Sequence, residues 1–284
     1  MPHRQYSLLL LLGAFLVVGA PPSAGGPITG KNVRFLDYPD FPDAHSTWGS
    51  IGYSSVHKKV FIGVTNHRNR EGLYEYDTRE KTLRLCGFVD QLVNLREFQW
   101  QGKIHTKIVE GPGGAMYFGT DGGESREEYL MEHPHGYGGG FLLRWDPAAN
   151  RMTNLGMALQ YDSIKEVEAD RESEIVYMVS YPQVHLLAYN VKKNDLRDLG
   201  RMGSGHVPRT MFRDWWNNCY YVDWRQRLVK YERETGKLVF ARESLPAFPG
   251  TPGERIVTGL RAFAKDKAAG ARGKVGLLPR WLTA

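Results

Sequence analysis

The chain has 284 residues, 42% hydrophobic and 12% aromatic, which is enough to bury one sizeable core. Its formal charge of +6 sits at the two ends, +1 in residues 1–24 and +5 in residues 261–284, so residues 25–260 are neutral. A neutral body lacks the concentrated basic face of a nucleic-acid binder, and no membrane-binding helix is visible beyond the N-terminal segment.

Residues 1–24 read as a secretory signal peptide. Arg4 precedes an apolar run at residues 8–18, and a small-residue stretch follows, with cleavage expected near Ala20 or Ala24. The run is too short to span a bilayer, and no Cys follows it to carry a lipid. The expected product is secreted or periplasmic, without a stable membrane anchor once the signal is removed. Residues 25–44 form an N-terminal segment, and residues 45–260 read as an all-β fold.

Within 45–260 the strands fall into four sets, each lettered A to D. The first set is 49–53, 60–64, 72–76 and 82–87. The second is 103–109, 116–120, 141–145 and 152–155, with Gly111-Pro112-Gly113-Gly114 as the hairpin turn after A. The third is 164–169, 175–180, 185–190 and 195–199, and the fourth is 208–212, 219–223, 228–231 and 238–242. β-Branched and aromatic residues dominate strands B and C, as burial on both faces requires.

The third strands share a pattern that ends in an aromatic residue and a polar one. It reads Leu73-Tyr74-Glu75-Tyr76-Asp77, Leu142-Leu143-Arg144-Trp145-Asp146, Leu186-Leu187-Ala188-Tyr189-Asn190 and Leu228-Val229-Lys230-Tyr231-Glu232. The last two steps are 44 and 42 residues, and the first is 69 because a long loop intervenes. That period, built from short strands, is the mark of β-propeller blades. A fifth blade starts at 254–263, with 274–278 as its second strand, but residues 261–284 then lose the pattern. Two readings of that tail compete: an irregular last blade in a small closed ring, or the truncated or frame-shifted end of a longer propeller. The second is preferred, because an open arc leaves strand edges that intact propellers avoid. Cys86 and Cys219, 133 residues apart on different blades, are expected to be buried free thiols.

The stretches 102–112, 116–121 and 133–140 (His-Pro-His-Gly-Tyr-Gly-Gly-Gly) resemble exported bacterial seven-bladed propellers. These are the WD40/YVTN-like and SMP-30-like proteins, some related to propeller polysaccharide lyases. The resemblance covers about residues 45–265 and implies a propeller with an extracytoplasmic address. It also implies that His133 and His135 are the pair to consider for a divalent metal.

Propeller loops entering strand A and loops joining B to C share one face of the disc. That face collects His45, Trp48, Lys103, His105, Asp162, Lys165, His206, Arg209, Glu254 and Arg255 from the entries. The B–C loops add His67, residues 121–139, Tyr181, Gln183, Asp223, Trp224 and Arg225. Six of the nine histidines belong to this set (45, 67, 105, 133, 135 and 206), whereas the opposite face holds mostly turn residues.

Two functions fit. One is a propeller that binds a carbohydrate or other small ligand, with Lys103, Lys107, Tyr137, Trp224, Arg225 and Arg255 as ligand-binding residues. The other is a lyase acting by β-elimination on uronic-acid polymers such as oligogalacturonate. There Arg209 and Arg255 neutralise the carboxylate, His105 or His206 is the base, and Tyr181 or Tyr137 is the acid. Each residue also has a structural reading: His105 as a bond to a neighbouring blade, Arg209 and Arg255 as ion-pair partners of Glu166 or Glu254. Tyr181 and Trp224 are either sugar-stacking platforms or packing residues.

Overall fold

The computed structural model describes residues 30, 35–37, 40–96, 99–122, 136–203, 211–223 and 227–244. The chain divides into two units, 1–36 and 37–284, and every described strand lies in the second. The expected signal peptide, the fifth blade and the tail at 261–284 lie outside the described residues.

Among the described residues there are four antiparallel meanders, as expected of four-stranded propeller blades. Blade one is β1 (Ile51–Ser54), β2 (Lys59–Thr65), β3 (Glu71–Asp77) and β4 (Thr82–Phe88). Blade two is β5 (Lys103–Ile104) and β6 (Val109–Glu110), both paired with β7 (Met116–Asp121), then β8 (Phe141–Asp146) and β9 (Arg151–Met157). Blade three is β10 (Ser163–Asp170), β11 (Ile175–Tyr181), β12 (His185–Asn190) and β13 (Asp195–Arg201). Blade four is β14 (Met211–Arg213), β15 (Cys219–Val222), β16 (Arg227–Glu232) and β17 (Lys237–Ser244).

The recurring third-strand pattern has a physical meaning at each position. Side chains alternate across the sheet, so the first leucine and the aromatic point to opposite faces. Leu73, Leu142 and Leu186 pack against the following blade, while Trp145, Tyr189 and Tyr231 pack against the preceding one. Opposite the third residue of each pattern, β2, β7, β11 and β15 place Phe61, Tyr117, Tyr177 and Tyr220. The core is therefore a set of slabs between blades. Phe61 and Leu73 meet Met116, Phe118, Leu143 and Trp145 in the first slab. Tyr117 and Leu142 meet Ile164, Met178, Leu187 and Tyr189 in the second.

The polar residue after the aromatic caps the next turn. Asp77 Oδ1 accepts the backbone N–H of Arg79 and Glu80, and Asp146 Oδ1 accepts those of Ala148 and Ala149. Asn190 Oδ1 accepts the N–H of Lys193. Those amides hold the Asp77 carboxyl below its usual range. Four residues past the cap, the turn enters the left-handed region at Lys81, Asn150, Asn194 and Gly236.

A register shift recurs between the third and fourth strands of every blade. In the first three blades the fourth strand has a glycine nearby in the positive-φ region, Gly87, Gly156 and Gly200.

Two local expectations need correction. The run 103–109 is not one strand. Thr106 Oγ1 accepts the Gly119 N–H at 2.9 Å, and the Ile108 N–H bonds to Ile51 O of blade one at 3.3 Å. The chain thus leaves its own ladder between β5 and β6 and leans on its neighbour. The expected hairpin turn does join β6 to β7, as a short 3₁₀ turn at Pro112–Gly114 with Gly113 at φ 67° and Gly114 at φ 77°. Both cysteines are free; Cys219 is buried as expected, but Cys86 is only half-buried.

Glu110, at the end of β6, fastens three blades. It accepts Ser54 Oγ and Ser55 Oγ, each at 2.5 Å, and the Val56 N–H at 3.0 Å. From blade three, Arg171 Nη2 lies 2.6 Å from its carboxylate. Burial works against the ionised form, but these hydrogen bonds and the arginine outweigh it and lower the pKa to about 2. The stabilisation is present above the ordinary glutamate value of 4.5 and is lost as pH falls from there toward 2.

Glu110→Gln is expected to cost about 1–3 kcal/mol at pH 7, and the difference from wild type should shrink as pH drops through that window. Urea unfolding between pH 7 and pH 3 reads it. Trp145→Ala, which empties a fully buried site between blades one and two, is expected to cost about 3–5 kcal/mol in the same measurement.

Candidate functional site

Strand alternation at β5 buries Ile104 between blades and sends Lys103 and His105 to the other side. Lys103 pairs across the ladder with Asp121, the last residue of β7. The next blade supplies Lys165 through a bulge. Ile164 and Glu166 pair with adjacent residues Ser180 and Val179, so Lys165 is the extra residue. Its ammonium reaches across the blade boundary to the Asp121 carboxylate and lies 5.4 Å from the centre of the Tyr181 ring. His105 Nδ1 is 3.7 Å from the same carboxylate, with a side chain only 5% exposed.

Blade one extends this line. Asn66 Oδ1 accepts the backbone N–H groups of Arg68, Asn69 and Arg70, which closes the β2–β3 loop and holds His67 at φ 57°. The His67 ring lies 4.9 Å from that of His45 and 5.2 Å from that of Trp48. Lys103 Nζ sits 5.0 Å from the centre of the Trp48 ring, and Trp48 is half exposed. A continuous row therefore runs from His45 through His67, Trp48, Lys103 and Asp121 to Lys165 and Tyr181.

The predicted residues divide on this map. Lys103 and His105 stand beside Asp121, and Tyr181 joins them through Lys165. Tyr137 packs against Gly122, the residue after Asp121, and reaches Ser163, the cross-strand partner of Tyr181. Its hydroxyl is 3.1 Å from Ser163 Oγ, its ring is 6.0 Å from Trp100, and burial pushes its phenol well up. Lys107 is drawn away toward the inner ends of the later blades. It donates to Glu168 Oε2 at 2.5 Å and to Met211 O at 2.8 Å, and Glu168 also lies 3.5 Å from Arg213 Nε.

His133, His135, His206, Arg209, Trp224, Arg225 and Arg255 lie outside the described residues. Among the described residues, no group of three or more His, Cys, Asp or Glu is placed to hold a metal ion. Trp48 and Lys165 were visible as members of the face. Their roles needed the bulge at Lys165 and the ring contacts, which no spacing announces.

One buried acid beside this face stands apart. Glu71, the first residue of β3, is fully buried, and neither of its carboxyl oxygens has a hydrogen-bond partner. Burial, with a further contribution from the nearby Asp90 charge, raises its pKa well above the ordinary value. The folded state therefore holds it neutral where the unfolded chain ionises it, and stability falls as pH rises above the unfolded pKa. Glu71→Gln should raise the melting temperature at pH 8 and leave it unchanged below pH 4, a pattern that differential scanning calorimetry resolves.

No family model matches the chain, and no curated protein matches it. Similar solved structures include a chain of a nidogen/laminin complex, at 14% identity and a TM-score of 0.43 over 66% of this chain and 60% of that one. TolB from Acinetobacter baumannii follows at 11% identity and 0.45, over 70% of this chain and 44% of that one. An oligogalacturonate lyase in complex with manganese gives 11% and 0.47, over 75% and 58%. The chain thus spans 44–60% of the length of these structures. The propeller assignment rests on the four repeated blades themselves, and the likeness is not extended to ligand or reaction.

Proposed function

We propose that this propeller binds a carbohydrate through the face formed by the strand-A entries and B–C loops, with an acidic sugar as the best-matched ligand. The observation that carries the reading is the row Trp48–Lys103–Asp121–Lys165–Tyr181. An exposed indole offers an apolar plane for the C–H face of a sugar ring. The Lys103 ammonium beside it suits a uronate carboxylate. Asp121 and Lys165 supply an acceptor and donors for hydroxyls within the same row. A role outside the cytoplasm, in the periplasm or the medium, accords with such a ligand and with the N-terminal sequence.

β-Elimination on the same ligand is a second reading, favoured by one observation: an imidazole, His105, held beside the Asp121 carboxylate. At 3.7 Å the pair would orient a general base once it closes to hydrogen-bond range, although the low exposure of His105 weighs toward binding alone. Isothermal titration with trigalacturonate tests both. Binding is expected to weaken about tenfold or more in Lys103→Ala and in Trp48→Ala, each tenfold being about 1.4 kcal/mol. Absence of binding by the wild type would reject the proposal. Release of an unsaturated uronate that disappears in His105→Ala would move the reading to the lyase.

A further inference from the structure

The opposite face holds a second concavity, set where the innermost strands end. Tyr53 of β1, Glu110 of β6, Glu168, Arg171 and Glu172 at the end of β10, and Arg213 and Trp215 of β14 and its turn line one cleft of about 810 Å³. All four blades contribute to it, and its volume is that of a small-ligand site.

Its charges are largely cancelled from within. Arg171 is held by Glu110 at 2.6 Å, Lys107 by Glu168 at 2.5 Å, and Arg213 stands between Glu168 at 3.5 Å and Asp170 at 3.7 Å. Glu172, at the exposed rim, accepts Asn217 Nδ2 at 3.0 Å. The cleft thus offers guanidinium donors next to carboxylate and amide acceptors, with its cations already matched by acids.

The rim is aromatic and rigid. Trp215 is 95% exposed, yet it stands on a pinned turn. Asp214 Oδ1 accepts the Trp216 and Asn218 N–H groups, each at 2.9 Å, and Asp214 Oδ2 accepts Tyr220 Oη at 2.8 Å and Asn218 Nδ2 at 2.9 Å. Tyr53, half exposed, belongs to the blade-one wall. The backbone that carries this indole is fixed before any ligand arrives, so binding has no turn to order, which favours affinity.

From this combination we infer a second ligand site, on the face opposite the one proposed above, that takes a neutral oligosaccharide. Apolar sugar faces stack on Trp215 and Tyr53. Adjacent hydroxyls, each both donor and acceptor, span the Arg171–Glu110 and Arg213–Glu172 surroundings. An anionic sugar is disfavoured here, because the described cations of the cleft, Arg171 and Arg213, each face a carboxylate and Glu172 lies at the entrance.

The test is tryptophan fluorescence and isothermal titration of the full chain with maltohexaose, cellohexaose and mannohexaose, with trigalacturonate alongside. At least one neutral hexasaccharide is expected to bind and to shift the emission. Affinity should fall tenfold or more in Trp215→Ala and in Tyr53→Ala, and should be retained in Trp48→Ala. Trp215 is nearly fully exposed, so the melting temperature of its variant should match wild type and separate lost binding from lost folding. The inference is overturned if none of the three hexasaccharides binds, if Trp215→Ala binds as wild type does, or if Trp48→Ala abolishes the binding. Trigalacturonate binding lost only in Trp48→Ala bears on the other face, so the two readings fail independently.

Discussion

Every blade of this protein has two apolar faces, and a β-sheet with two such faces is stable only between neighbours. The third strand states the requirement most directly, with a leucine turned to the following blade and an aromatic turned to the preceding one. Trp145, Tyr177 and Leu143 are almost completely buried in such slabs, and each contributes on the order of 1.5–3 kcal/mol by leaving water. Successive described blades are thereby fixed face to face, and the stacking sets which of their described loops lie near one another.

Polar cross-links then set the blades in register. Glu110 reaches from blade two to blades one and three, Lys107 joins blade two to blades three and four, and Lys165 ties blade three to Asp121. Interior ion pairs of this kind add little net stability, because desolvation offsets most of their attraction. Their contribution is positional, since a carboxylate satisfied from two blades tolerates only one relative placement of them. The same links leave cations and acceptors lining both faces of the disc, so the devices that orient the blades also define what the surfaces can recognise.

Much of the architecture was legible in the linear pattern. The four-strand sets and their order match the observed ladders, and most strand ends fall within about one residue of them, because alternation and turn chemistry are local. The aromatic–acid repeat was legible as a repeat, and its division of labour emerged with the packing: the aromatic fills a slab and the acid caps a turn. The break at Thr106 escaped the pattern, since its cause is a hydroxyl that takes over a ladder bond and a neighbouring blade that claims Ile108. The convergence of Lys103, His105 and Tyr181 was foreseen from the topology, but Lys107, two residues past His105, was drawn to Glu168 on another blade. A register reading cannot see such a partner.

The opposite face was the larger surprise. Read in sequence, the ends of the inner strands were turns without chemistry, because Tyr53, Glu110, Arg171 and Trp215 lie far apart along the chain and share no spacing. What the amino-acid order determined by itself was the periodicity, the faces of each strand and the caps of each turn, all consequences of interactions a few residues long. What the tertiary structure alone decided was which distant side chains meet: the row along one face, the unpartnered Glu71, and the cleft on the other. Blade stacking fixes those distances, and stacking is a property of whole sheets that no single segment encodes.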